Sequence, residues 1–108
     1  MGAFVAPAGA QSPPDRSDVQ AGRDLALRQC STCHVVSADQ PAPPKLKEPA
    51  KSFLAIANEP RTTAASLRAF IASTHRTVRN PANMPNPTLN DAQLTGVVAY
   101  ILSLRQSR

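Results

Sequence analysis

Two cysteines and a histidine lie within five residues, and their spacing is the strongest chemical signal in the chain. Cys30, Cys33 and His34 form the run C-x-x-C-H. Thiols three positions apart lie about one helical turn from each other, so both can form thioethers along one side of a porphyrin. An imidazole that follows directly can then bind the porphyrin iron. This run is the recognised attachment sequence for haem c, and it predicts one haem bound through Cys30 and Cys33, with His34 as an iron ligand.

Three other uses of these residues are less consistent with the sequence. A thioredoxin-like dithiol normally opens a helix after a strand, and no strand pattern precedes Cys30. A structural zinc site needs four ligands, but His75 is the only other histidine and the chain has just two cysteines. A disulfide between Cys30 and Cys33 would close a small, strained ring. Haem attachment is therefore the favoured interpretation.

A second iron ligand would come from Met84, from His75, or from no residue of the chain. Met84 lies in the run Asn83-Met84-Pro85-Asn86-Pro87, where rigid prolines leave little helical face for core packing. His75 stands beside Arg76 at the predicted end of a helix, where an imidazole more often faces solvent. We therefore predict Met84 as the second ligand.

Capping signals and apolar periodicity predict an all-α fold. The expected elements are a helix opened by Ser17 with Gln20 that runs into Cys30, a short helical turn over 51–58, a helix capped by Thr62 or Thr63, and a helix opened by Asn90 with Gln93. No segment alternates in polarity as a strand would. Proline-rich loops join these helices.

One of those loops follows the attachment run. A ligating imidazole usually donates its second ring N–H to a backbone carbonyl, and residues 37–50 are rich in proline. We expect the acceptor to be the carbonyl of Pro41, Pro43 or Pro44, and the three remain open alternatives.

With these features the chain resembles the class I, mitochondrial-type monohaem c-type cytochromes, in particular their small soluble bacterial members. Residues 30–34 match the haem-binding run of that family, and Met84-Pro85 matches its distal-ligand loop. Gly22 matches a glycine of the family's first helix, and residues 98–104 resemble its terminal helix. The resemblance implies a cytochrome c fold, with three main helices and a short one wrapped around one covalent haem.

Two departures from the family pattern affect the expected geometry. Ala26 stands where relatives carry an aromatic residue, so the crossing of the first and last helices around Gly22 and Tyr100 should be tighter or less filled. The interval from His75 to Met84 is also longer than in relatives with a histidine just before Asn-Met-Pro.

The resemblance also divides the chain and places it in the cell. Residues 17–108 are expected to form the cytochrome c domain and residues 1–16 a flexible tail or signal-peptide remnant, since Ala8-Gly9-Ala10 resembles an export cleavage site. No apolar run is long enough to span a membrane. Haem is joined to members of this family outside the bacterial inner membrane, which implies the periplasm.

Ligation by His34 and Met84 would close the iron and leave one-electron transfer as its chemistry. The resemblance thus implies an electron carrier and not an enzyme. Leu67 and Phe70 are the best candidates for contact with the haem ring. Two alternatives are an electron-transfer subunit held permanently by a dehydrogenase and, if Met84 does not bind, a haem-based sensor or enzyme.

The charge of the chain bears on its partners. Twelve Lys and Arg against seven Asp and Glu give a net charge of +5. Arg61, Arg68, Arg76 and Arg79 lie in a stretch without an acid, which favours docking to acidic patches on redox partner proteins. No nucleic-acid-binding module is recognisable, so nucleic acid is not expected as a partner. A monomer is favoured.

Overall fold

Four helices make up most of what the structure, a computed structural model, describes: residues 16–45, 50–72 and 87–105. They are α1 (Arg16–Gln29), α2 (Phe53–Asn58), α3 (Ala64–Ala72) and α4 (Asp91–Ser103). These residues contain no strand, so the all-α prediction, with three longer helices and a short one, is confirmed. The proposed tail lies almost wholly outside the described residues. No helix in the described ranges has the length and apolar character required to cross a bilayer.

Local capping explains where α3 and α4 begin. The Asn90 side chain accepts a hydrogen bond from the Gln93 backbone N–H at 2.8 Å, and the Gln93 side chain accepts one from the Asn90 N–H at 2.9 Å. Thr63 and Ser66 make the same reciprocal exchange at 3.0 and 2.9 Å. Both caps satisfy backbone donors that have no partner inside a helix, and both confirm the predicted starts.

The other two helices begin close to the predicted positions. Ser52 caps α2, because its hydroxyl accepts from the Ala55 N–H at 3.1 Å. The first helix starts at Arg16, so Ser17 lies inside its first turn and not before it, and the prediction that Ser17 caps this helix is wrong. Asp18 also lies in that turn, where a carboxylate interacts favourably with the helix dipole.

The core is organised around α4, which packs against each of the other three helices. Leucine, valine and isoleucine side chains of this helix are buried together with Leu25, Phe53 and Leu67. A helix that is apolar on nearly every side is expected at the centre of a fold. The positions of α1, α2 and α3 therefore depend on their packing against α4.

Helices α1 and α4 approach each other closely at Gly22 and Gly96. A Cβ atom added to Gly22 would lie 1.8 Å from the Gly96 carbonyl oxygen. Ala26, on the same face of α1, is fully buried. The crossing is tight, as expected, but the residue opposite Gly22 is Gly96 and not Tyr100, whose hydroxyl instead donates to the Val36 carbonyl.

Candidate haem-binding site

The attachment run forms a tight turn that continues the end of α1. The Cys30 N–H donates to the Ala26 carbonyl at 2.7 Å, and the His34 N–H donates to the Cys30 carbonyl at 2.9 Å. The Cys33 N–H also donates to the Cys30 carbonyl, at 3.2 Å, which tightens the turn toward 3₁₀ geometry. Both thiols and the imidazole are thus carried by one hydrogen-bonded turn.

A second segment runs alongside this turn. Residues 50–53 are joined to residues 33–35 by two backbone hydrogen bonds, from the Ala50 N–H to the Cys33 carbonyl at 2.8 Å and from the Phe53 N–H to the Val35 carbonyl at 2.9 Å. The start of α2 is thereby fixed beside His34.

This segment supplies the acceptor for the His34 ring. Nδ1 of His34 lies 2.7 Å from the Lys51 carbonyl oxygen, and since a carbonyl can only accept, Nδ1 donates its proton. The remaining lone pair is on Nε2, which leaves that atom to bind iron. The expectation of a backbone carbonyl is confirmed, but Pro41, Pro43 and Pro44 are the wrong residues. Lys51, in the segment that is paired with the attachment turn, supplies the carbonyl instead.

The two thiols are free and partly buried. Burial raises the pKa of Cys30 to about 11, and the neighbouring Cys33 contributes to the shift. Cys30 also follows the C-terminal end of α1, where the helix dipole disfavours a thiolate. A reactive redox dithiol needs the opposite, a depressed pKa at a helix N-terminus, so the site does not fit the thioredoxin-like alternative.

Aromatic contacts connect the His34 ring to α4. The centroids of His34 and Phe53 are 5.2 Å apart, and those of Phe53 and Tyr100 are 6.4 Å apart, both with tilted rings. The Tyr100 hydroxyl donates to the Val36 carbonyl at 2.8 Å. Tyr100 of α4 therefore contacts the two residues that flank His34 in space and in sequence, Phe53 through its ring and Val36 through its hydroxyl.

Three large apolar side chains of the described residues are exposed, and two of them are adjacent in sequence to residues of this site. Val35, Leu54 and Phe70 are 37, 47 and 51% exposed. Val35 follows His34 directly, and Leu54 follows Phe53, whose ring contacts the imidazole. Exposed apolar side chains mark a binding surface when they form a contiguous patch. Val35 and Leu54, together with the two thiols and the Nε2 lone pair of His34, fit a flat apolar group such as a porphyrin.

The two predicted ring-contact residues differ in their surroundings. Leu67 is buried in the core, whereas Phe70, three residues later in α3, is half exposed. Phe70 therefore presents its ring at the surface of α3, while Leu67 faces the other helices. Met84 and His75 lie outside the described residues, as do Arg76 and Arg79.

The predicted basic stretch is partly neutralised. Arg68 of α3 donates to the Asp91 carboxylate at 2.8 Å and also to the Thr95 hydroxyl. Asp91 follows the acid-free stretch directly, and the fold returns it to Arg68. Arg61 is exposed in the connection between α2 and α3.

Two features of the site were not identified from sequence, the Lys51 carbonyl and Tyr100 as a hydrogen-bond donor, and neither was Gly96 at the helix crossing. For Lys51 the sequence carries no signal, because its backbone and not its side chain does the work. A buried tyrosine requires a partner for its hydroxyl, and a glycine inside an apolar helix suggests a close backbone approach. Those two signals were present but did not name the partner.

Comparisons with known proteins found the following similarities. The family model described as Cytochrome c matches residues 19–105. The chain is also similar to a protein named Cytochrome c-552 from Bradyrhizobium diazoefficiens, with 31% identity over 101 residues that cover 94% of this chain and 88% of the relative. No solved structure matches the chain at a comparable level of significance.

Proposed function

The chain belongs to the cytochrome c family, and from that premise we propose that it is a diffusible one-electron carrier whose iron is held by His34 and Met84. Membership of the family means one haem c, and Cys30 and Cys33 have the spacing for its two thioethers. The bound haem supplies an iron that alternates between the ferric and ferrous states.

The observation that carries the proposal is the state of the His34 ring. Its Nδ1 proton is donated to the Lys51 carbonyl at 2.7 Å, which orients the ring and makes it more basic. Nε2 is thereby prepared as a strong, neutral nitrogen ligand. The attachment turn holds this ligand and both thiols in one rigid unit.

Met84 is proposed as the second ligand on the basis of its residue type and its place before Pro85. A thioether is a soft ligand that favours ferrous iron and so raises the reduction potential. With His34 and Met84 both bound to the iron, no position would remain open to a substrate, and the protein would exchange electrons without making or breaking other bonds. Phe70 and Leu67 are proposed as ring contacts, Phe70 through its exposed face.

The ligand set is tested by optical spectroscopy of the holoprotein, first ferric, then reduced, then exposed to carbon monoxide. We expect the weak far-red ferric band of an iron–methionine sulfur bond and no rapid reaction of the ferrous protein with carbon monoxide. Met84→Ala should lose the band and bind carbon monoxide. His75→Ala is the matched control and should behave as the wild type.

A wild-type protein without the band, whose ferrous form binds carbon monoxide at once, would contradict Met84 ligation. A sensor or enzyme would then replace the carrier as the favoured function. If His75→Ala and not Met84→Ala opens the site, the iron has two histidine ligands, and a lower reduction potential follows.

Partner recognition is proposed to be electrostatic. The net charge of +5 and the exposed Arg61 favour acidic docking patches on redox partner proteins. The rate of oxidation by anionic hexacyanoferrate(III) should fall as salt is added, because screening weakens the attraction. A cationic cobalt(III) complex should show the opposite trend. Equal salt dependence with both oxidants would exclude steering by the protein's charge.

The compartment and domain limits follow from the family and stay proposals. We place the mature protein in the periplasm, with residues 17–108 as the cytochrome c domain. Fractionation of bacterial cells that express the full chain tests the location, because haem-stained protein should appear in the periplasmic fraction. Haem-stained protein found only in the cytoplasmic fraction would contradict it.

A further inference from the structure

The peptide of Val36, two residues after His34, is held at both ends by side chains. Val36 is 1% exposed, so its backbone N–H and carbonyl both need partners inside the protein. Its carbonyl accepts from the Tyr100 hydroxyl at 2.8 Å, and its N–H donates to the Gln40 side-chain oxygen at 2.7 Å. No secondary-structure ladder supplies these bonds.

Gln40 has further bonds that fix its own position. The same side-chain oxygen accepts from the Ser37 N–H at 3.3 Å, and the side-chain amide donates to the Ala42 carbonyl at 2.8 Å. The Gln40 side chain therefore links the backbone of residues 36 and 37 to that of residue 42. With three hydrogen bonds, the amide is held in a single orientation.

Tyr100 reaches the His34 region by two routes. Its hydroxyl binds the Val36 carbonyl, and its ring lies 6.4 Å from Phe53, whose ring lies 5.2 Å from that of His34. Only the first route is a directional bond. Replacing the hydroxyl by hydrogen removes that bond and leaves the ring contacts in place.

We propose that Tyr100 and Gln40 are positioning residues for His34, because together they hold the Val36 peptide and so keep the imidazole against the Lys51 carbonyl. This inference rests on the proposed function, in which His34 binds the iron. A displaced Val36 peptide moves the chain just after His34, and the bond from Nδ1 to Lys51 lengthens. A weaker bond there makes the imidazole less basic, which stabilises ferric iron less and raises the reduction potential.

The test is hydrogen exchange of the His34 Nδ1 proton in the reduced holoprotein, measured by NMR beside the backbone amide of Val97 in the middle of α4. Global unfolding accelerates both protons equally, whereas local loosening accelerates only the ring proton. In Tyr100→Phe we expect the ratio of ring to amide exchange to rise at least about fivefold, since a buried carbonyl has lost its partner. The reduction potential should rise in the same variant.

Three further variants separate positioning from general stability. Ser103→Ala is the control, because it also removes one hydroxyl of α4, the one that donates to the Tyr100 carbonyl at 2.6 Å. It should leave the exchange ratio and the potential unchanged. Gln40→Ala should behave as Tyr100→Phe. Gln40→Glu keeps an oxygen acceptor for the Val36 N–H but loses the donor to the Ala42 carbonyl, so it should recover only part of the wild-type ratio.

An unchanged ratio in both Tyr100→Phe and Gln40→Ala, with an unchanged potential, would overturn the inference and leave the two residues a purely structural role. Failure of the proposed function is distinguishable, because it shows in the wild type. A wild-type protein that binds no haem or does not cycle between ferric and ferrous forms refutes electron transfer. One that does both keeps its function, whatever the variants do.

Discussion

A single methyl group added to Gly22 is expected to force α1 away from α4. The added Cβ would lie 1.8 Å from the Gly96 carbonyl oxygen, 2.3 Å from the Gly96 carbonyl carbon and 2.9 Å from the Val97 nitrogen. All three atoms belong to the backbone of α4, so no side-chain rotation relieves the overlap. Ordinary contact begins near 3.4 Å, and the shortest of these distances is about 1.6 Å below it.

The expected cost follows from that overlap. Overpacking a core usually costs about 1–3 kcal/mol, and a clash between two backbones belongs at the top of that range or above it. The substitution returns about 1 kcal/mol, because alanine is a better helix former than glycine. Gly22→Ala should therefore destabilise the protein by at least about 2 kcal/mol, which lowers Tm by roughly 8–16 °C in a domain of this size.

Guanidinium unfolding of the ferric holoprotein, followed by far-UV circular dichroism, measures this loss by linear extrapolation. The holoprotein is suitable because a covalent haem stays attached in the unfolded state. Gly96→Ala is the matched control on the opposite helix. Its Cβ would lie 3.3 Å from the nearest atoms of Asp18 and Gly22, so a small shift is sufficient and stability should stay within about 1 kcal/mol of the wild type.

The difference in unfolding free energy between Gly22→Ala and Gly96→Ala tests how closely the two helix backbones approach. If Gly22→Ala is no less stable than Gly96→Ala, the backbones of α1 and α4 do not approach as closely as their geometry indicates. A loss confined to Gly22→Ala confirms that the helix crossing depends on the missing side chain.

Two further predictions concern the surface. Arg105 donates to three carbonyls within residues 57–62, at 2.7, 3.3 and 2.5 Å, so Arg105→Ala should cost about 1–2 kcal/mol of unfolding free energy in the same titration and Arg105→Lys should recover only part of it. The pKa of Asp39 is lowered from 3.8 by hydrogen bonds from Ser37 and then Arg23; ionised Asp39 therefore stabilises the fold above that unfolded value and loses its contribution as pH falls through the folded pKa. Asp39→Asn should flatten the acid side of a plot of Tm against pH, and an unchanged slope would contradict the linkage.

Elements that depend on near neighbours could be predicted from the sequence. Asn90 with Gln93 and Thr63 with Ser66 exchange hydrogen bonds three positions apart, so residue type and spacing contain the whole interaction. The attachment turn is equally local, because its two thiols and its imidazole lie within five residues. For such local features, the residue types and their spacing are enough to predict the interaction.

Features made by distant segments could not be predicted. The acceptor for His34 was expected among prolines 7 to 10 residues away, but Lys51 is separated from it by 17 residues. Any backbone carbonyl can accept this bond, so the residue type gives no help, and only the path of the chain decides. The same holds for α3, where periodicity made Leu67 and Phe70 equivalent and only the packing against α4 buried the first and exposed the second.

The central position of α4 implies that site geometry and stability respond differently to changes along this helix. Among the described helices, α4 is the one that contacts all the others, and it does so through different groups: Gly96 against α1, Asp91 and Thr95 with Arg68 of α3, and Tyr100 beside the attachment turn. Tyr100→Phe removes one bond without moving α4, so it should loosen His34 while α1 and α4 stay packed. A substitution that forces α1 and α4 apart moves α4 itself, so it also disturbs the contacts of α4 with α2, α3 and the attachment turn. Gly22→Ala should therefore both destabilise the fold and accelerate exchange at His34, whereas Tyr100→Phe should chiefly do the second.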